Sequence, residues 1–265
     1  MTITKAKQPP ASLAYERELS ELFLFMTDQI AKRFKNNVLL AMNVSTIEKF
    51  ADAQTGNYAR VMLTLSEQVK RKIFRQFSND KIFYQVSKIL MNADRSSSVR
   101  LYKALENKIG ISTERLLARD GMTTEINALV LETTQWAKKL RDESLETFTN
   151  NTLHAMTDGQ SLEDLLSKFN GLVEKRKNHA KFLASNQIQN FNSISANLRA
   201  KRLGIKKAIW VTADDDSVRP SHADRDGVEF DLAEGCYSSV DGLYLQQGVD
   251  FNCRCTVQYV LDEII

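Results

Sequence analysis

Apolar residues recur at three- and four-residue intervals along most of this chain and predict a series of amphipathic helices. Leu13, Leu19, Leu22, Phe23, Met26, Ile30 and Phe34 fall on one stripe, and Leu24 and Phe25 broaden it, predicting burial on more than one side. Tyr58, Val61, Leu65, Val69, Ile73 and Phe77 are in phase over a second helix spanning 57–77. Ser78-Asn79-Asp80 is a break and an N-cap cluster before a third helix through Ile82, Val86, Ile89 and Leu90. Ser96-Ser97-Ser98 reads as another break, followed by a short helix through Leu101 and Leu105 that stops at Gly110. The longest pattern follows Gly121. Ile126, Leu129, Val130, Thr133, Trp136, Ala137 and Leu140 hold register toward Phe148, and Asp158-Gly159 ends it. Ser161, with Asp164 three residues on, is a weaker form of the capping box and opens a helix whose apolar face is Leu162, Leu165, Leu166 and Phe169. A last helix runs through Ala180, Ala184, Ile188, Phe191, Ile194 and Leu198. The positions expected on its exposed face are rich in amides: Asn186, Gln187, Gln189, Asn190, Asn192 and Asn197.

Gly204 changes the texture. Ala208-Ile209-Trp210-Val211-Thr212 is a short β-type run. Val228-Glu229-Phe230, Leu243-Tyr244-Leu245 and Thr256 to Val260 are further strand candidates, separated by Gly and Asp turns. A small sheet packed against the preceding helix is the economical arrangement. The expected fold is α+β. A polar, flexible or extended tail covers 1–10, a mainly helical body covers 11–203, and a small mixed α/β module covers 204–265. Composition agrees: 3 Pro and 10 Gly are too few for an all-β chain, and 43% hydrophobic residues suffice for a core.

A net charge of +3 gives no reason by itself to expect a nucleic-acid binder. No stretch reaches the apolar length of a membrane span, and the start MTITKAKQPP lacks a signal-peptide core. The chain is therefore expected in a cytoplasm, where thiols stay reduced. Cys236, Cys253 and Cys255 lie within 20 residues of one another, so they read as metal ligands or core residues before a disulfide frame.

The chemistry-bearing residues crowd toward the C-terminus in three constellations. The first runs from Trp210 through Asp214, Asp215 and Asp216 to Arg219, His222, Asp224, Asp226 and Gly227. It admits a His222 acting as acid or base with Asp224, Asp226 or Arg219 in a small hydrolase or transferase. It also admits a hard-cation site on the three successive aspartates, or a polar loop of Asx-turns closed by Asp226-Gly227. No nucleophile or phosphate cradle accompanies it. The second is Asn252-Cys253-Arg254-Cys255-Thr256. On a strand, residues i and i+2 share a face. Cys253 and Cys255 then offer two thiolates to one zinc, with His222 and Cys236 completing a tetrahedral set in a zinc-stabilised DNA-binding module. Two buried thiols with Arg254 outside, or a disulfide formed outside the cell, are the other readings. The third is the basic run Arg199, Lys201, Arg202, Lys206 and Lys207, which reads as a set of phosphate contacts or as a solvated helix end. His154 and His179 stand alone in helical segments and read as ordinary surface or core residues.

These residues carry a family resemblance. Ala180 to Asn192, Gly204, Trp210 to Thr212, Asp216, Val218-Arg219, His222, Asp226-Gly227 and Asn252 to Thr256, in that order and spacing, resemble the Mu F-like (MuF) head morphogenesis family of tailed bacteriophages. The resemblance spans roughly residues 170–260. It implies a helical region before a small C-terminal module, in a minor head protein of the capsid interior. The expected partners are the portal protein and the inner capsid, with packaged DNA as a further one. The expected place is the virion, and the host cytoplasm during assembly. The expected role is head morphogenesis or DNA delivery, with no enzymatic activity and no required cofactor. Leu245-Gln-Gln-Gly-Val-Asp-Phe251 departs from the family by lacking the prolines that often precede the Cys-x-Cys end, and Cys236 is not a position the resemblance carries over.

Overall fold

The computed structural model describes residues 5–43 and 57–261. In chain order the elements are β1 (Lys5–Lys7), α1 (Leu13–Asn43), α2 (Asn57–Gln76), α3 (Asn79–Ile109), α4 (Thr113–Ala118), α5 (Thr123–Thr157), α6 (Leu162–Arg202), β2 (Lys207–Val211), α7 (Pro220–Arg225), β3 (Glu229–Asp231), β4 (Cys236–Tyr237), β5 (Tyr244–Leu245) and β6 (Thr256–Val260). The fold is α+β, as expected. The chain forms two compact units, one from Met1–Glu18, Ser87–Leu131 and Ser185–Ile265, the other from Leu19–Val86 and Glu132–Ala184. The boundary expected at 203/204 thus falls inside the first unit, because the C-terminal half of α6 packs with the strands that follow it.

The first unit is built on an antiparallel sheet of order β1-β6-β2-β3. Alternation along the strands sends Ala208, Trp210, Val257 and Tyr259 inward, where they join Leu101, Leu105, Leu116, Ala196 and Ala200 from the helices in one core. A second, two-stranded sheet pairs β4 with β5. The expected tail over 1–10 is corrected over Lys5–Lys7. Ala6 is buried opposite Tyr259 between two exposed lysines, and Gln8 N–H extends the pairing to the Val257 carbonyl at 2.9 Å. Three residues are too few to carry an alternation signal. Pro9 and Pro10, lacking N–H groups, continue no ladder. Residues 1–4 lie outside the described residues, as do the side chains of Tyr58, Val61 and Leu162.

In the second unit Phe34 stacks on Phe148 at 5.5 Å, and Phe169 meets both edge-on at 6.4 and 5.1 Å. All three rings are buried. Arg141 is also buried there. It donates to the Phe77 carbonyl at 2.8 Å and to Asn79 Oδ1 at 3.1 Å, so a cation satisfies a carbonyl just past the end of α2.

Several local expectations change. The serines at 96–98 do not break α3. The hydroxyls of Ser97 and Ser98 donate to the carbonyls of Asp94 and Arg95, both at 3.1 Å, and so sit within a continuous helix. α6 is likewise one helix of 41 residues where two were expected. Its start is a reciprocal cap, with Asp164 N–H donating to Ser161 Oγ at 3.1 Å and Ser161 N–H to Asp164 Oδ2 at 3.3 Å. Phe25 is exposed at 52%, its ring resting edge-on against Phe77. The amides expected on the surface of α6 are mostly inside: Asn186, Gln187, Asn192 and Asn197 are buried.

Candidate functional site

Pro220 opens α7, where its fixed φ suits the first helical position. His222 and Arg225, three residues apart, share the inward face and are 3% and 0% exposed. His222 sits edge-on against Trp210 of β2, with ring centroids 5.6 Å apart. Its Nδ1 lies 3.5 Å from Cys255 Sγ and 3.7 Å from Cys253 Sγ. Its Nε2 lies 3.3 Å from Asp250 Oδ2, without the alignment of a hydrogen bond. The cysteines stand just before β6 and not on it; Asn252, at φ +50°, turns the chain immediately ahead of them. Both thiols nevertheless point to His222, and Arg254 between them faces out to pair with Asp215 at 2.7 Å. Among the described residues, His222, Cys253 and Cys255 form a group whose potential metal-ligand atoms all lie within 4.8 Å of one another.

The surroundings are built for this cluster. Gly248 N–H donates to Cys253 Sγ at 3.4 Å. Asn252 N–H is held by Asn186 Oδ1 at 2.8 Å. Arg219 donates to the Phe251 carbonyl at 2.6 Å and approaches Asp250 at 3.3 Å, so Asp250 lies between Arg219 and His222. A cavity of about 20 Å³ adjoins the cluster, lined by Ser217, Arg219, His222, Asn252, Cys253 and Cys255 among others. Asn252 Oδ1 is buried and has no hydrogen-bond partner. The thiols act as a pair. The Cys255 side chain, backed by the Gly248 N–H, holds Cys253 below the ordinary thiol range. The same contact with Cys253, together with burial, pushes Cys255 up.

The other anticipated residues lie elsewhere. Cys236 is buried in β4 outside the cluster, and its thiol is pushed up by burial. The hairpin geometry instead offers its carbonyl to Arg225 Nε at 2.9 Å. The anticipated partners of His222 are also corrected. Asp224 accepts from Ser238 Oγ at 2.7 Å and Ser239 N–H at 2.8 Å, and Asp226 from Thr212 N–H at 2.8 Å; both tie down backbone turns. Gly227 N–H donates to the Trp210 carbonyl at 2.9 Å. Asp214, Asp215 and Asp216 are exposed, and Asp215 is engaged by Arg254 and Ser217 N–H. Of the basic run, Arg199 is 1% exposed, clamped 2.8 Å from Asp94 and 2.9 Å from Asp120, so it is withdrawn from any phosphate. Arg202 pairs with Glu125, and Lys207 lies 3.1 Å from Glu229, while Lys201 and Lys206 are exposed.

Three features went unread in the sequence. Asp250 stands three residues before Cys253, with no motif to tie it to His222. Arg225 uses all five donors, on the carbonyls of Ser221, Cys236 and Leu243 and on both oxygens of Asp241. Asn197 joins Gln247, Gln8 and Tyr259 in a buried amide network. The density of amides on α6 is the sequence signal for the last, and the structure puts most of them on the buried side of the helix.

The family described as Phage Mu protein F like protein matches residues 146–258, a stretch that begins earlier in the helices than the motif resemblance and contains the whole cluster. An uncharacterized protein of Haemophilus influenzae is 27% identical over 239 residues, 88% of this chain and 51% of that protein. The NAD(+)–arginine ADP-ribosyltransferase EFV of Enterococcus faecalis is 29% identical over 135 residues, 48% of this chain and 28% of that protein. The chain thus spans about half the length of the first relative and under a third of the second. No solved structure matches.

Proposed function

We propose, proceeding from the match of residues 146–258 to the Phage Mu protein F like family, that the chain acts in the head morphogenesis of a tailed bacteriophage as a minor head protein, associated with the portal and the inner capsid surface. The family match is the observation that carries this reading. The role is structural. His222 is enclosed by Trp210, the two thiols and Asp250, and the adjoining cavity of about 20 Å³ has room for one water and for no substrate. Contact with partners falls to the exposed apolar residues of the β4–β5 hairpin, Tyr237, Val240, Leu243 and Tyr244. The amides of α6 are unavailable for it, because they are buried. Packaged DNA is a lesser partner, since Arg199, Arg202 and Lys207 already hold carboxylates. No helix among the described residues is long and apolar enough to cross a membrane.

The test is deletion of the gene from the phage that carries it, with protein composition measured in virions and in empty procapsids. The expected result is loss of normal heads on deletion and a few copies per particle in the wild type. Full-titre phage with normal heads overturns the reading. The rival is transfer of ADP-ribose, suggested by the name of the Enterococcus relative. It predicts consumption of NAD(+) that disappears in His222→Ala; a flat NAD(+) assay removes it.

A further inference from the structure

We infer that Cys253, Cys255 and His222 bind one zinc ion, with a water as fourth ligand, and that the ion clamps the start of β6 to α7. The spacing of the donors is the first argument. Zinc at about 2.3 Å from sulfur and about 2.0 Å from nitrogen, in tetrahedral geometry, separates the nitrogen from each sulfur by roughly 3.5 Å. The observed separations from His222 Nδ1 are 3.5 and 3.7 Å. Two thiolates and one imidazole form a soft, borderline donor set that suits zinc and disfavours magnesium or calcium.

The outer shell is the second argument. A metal-bound histidine usually turns its other ring nitrogen to a carboxylate, which fixes the tautomer and the ring plane. His222 Nε2 lies 3.3 Å from Asp250 Oδ2, close enough for a small ring adjustment to align the bond, and Arg219 approaches the same carboxylate oxygen at 3.3 Å. Gly248 N–H donates to Cys253 Sγ, a bond that stabilises a thiolate. The fourth position is the third argument. The cavity beside the cluster, about 20 Å³, is large enough for one water. Asn252 lines it with a buried oxygen that lacks a partner, an acceptor suited to a bound water. Cys236 takes no part. Binding releases the thiol protons to solvent, so affinity falls as pH falls.

The assignment is independent of the head-assembly reading, since metal content is measured on the purified chain whether or not particles form. Full-length protein, purified under reducing conditions from zinc-supplemented medium, is analysed by elemental mass spectrometry. About one zinc per chain is expected, with a lower melting temperature after chelation that zinc restores. Cys253→Ser and Cys255→Ser should each lower zinc content at least tenfold, while Cys236→Ser retains it. Asp250→Asn, which keeps the side-chain shape, should weaken zinc binding about 10–100-fold. Should the cysteine variants fail to fold, cobalt added to the chelated wild type decides the matter. Thiolate-to-cobalt charge-transfer and intense tetrahedral visible bands support the site. A zinc ratio near zero with no such bands overturns it, as does zinc that stays bound in Cys253→Ser/Cys255→Ser.

Discussion

Gly248 shows how narrow the tolerances are around the cluster. Its φ is +79°, a left-handed conformation that side chains rarely adopt, and a Cβ there would run into the Ser193 side chain on α6. The same backbone places its N–H on Cys253 Sγ. Gly248→Ala should therefore cost at least about 2 kcal/mol, from strain and overpacking together. Urea unfolding checks this, and adding Ser193→Gly should recover part of the loss, since it removes the group the new methyl meets. At the same scale, Asn197 illustrates a polar core residue that is fully used. Tyr259 Oη donates to its Oδ1 at 3.0 Å, and its amide donates to Gln247 Oε1 at 2.8 Å. Asn197→Leu keeps the branched side-chain shape but strands those partners, so a loss of about 1–3 kcal/mol is expected in the same assay.

Between elements, the decisive tie is Arg225. From α7 it holds the carbonyls of Cys236 and Leu243 on either arm of the hairpin and the Asp241 carboxylate at its turn, while its guanidinium lies 5.6 Å from the Trp210 ring. Arg225→Met should destabilise by about 3 kcal/mol, because three carbonyls lose their donor. Arg225→Lys should recover little of it, since one ammonium cannot reproduce a five-donor fork. Arg225 also holds Asp241 below its ordinary carboxylate range. A folded pKa below the unfolded one contributes stability above the ordinary carboxylate range, and this is lost as pH falls through the depressed value. Acid unfolding of the wild type should thus show a pH dependence below about pH 4 that is shallower in Arg225→Met, as read by circular dichroism.

For the whole molecule, two separate questions arise: whether it folds and whether it assembles. In the second unit, Phe148 touches both Phe34 and Phe169, and Phe148→Ala should cost about 3–5 kcal/mol. On the proposed reading the exposed hairpin residues bear on assembly, and within the fold Tyr244 adds only a ring contact with Tyr237 at 5.1 Å. Val240 and Tyr244 are 58% and 61% exposed, so Val240→Ser/Tyr244→Ser should leave the melting temperature nearly unchanged. On the head-protein reading, the same variant should be depleted from heads at least severalfold by quantitative mass spectrometry of particles. Normal incorporation would assign partner contact to another face.

Helix content, the α+β class, the strand at Thr256–Val260, the cap at Ser161 and the MuF likeness were all legible along the chain. These depend on residues close in sequence, where period, caps and motif order carry the information. The tertiary structure alone decided which side of α6 is inside. An amide is polar by composition, but Asn186 and Asn197 are buried because the returning C-terminal segment supplies their partners from 50 or more residues away. It likewise decided that Lys5–Lys7 is a strand, since a three-residue edge takes its pairing from Gln258–Val260 at the other end of the chain. His222, Cys253 and Cys255 were named from their residue types. That they meet while Cys236 is left out, and that Asp250 stands behind His222 where Asp224 and Asp226 were expected, follows from the path of the backbone between them. Spacing along a loop does not encode distance in space; the packing that closes the loop does.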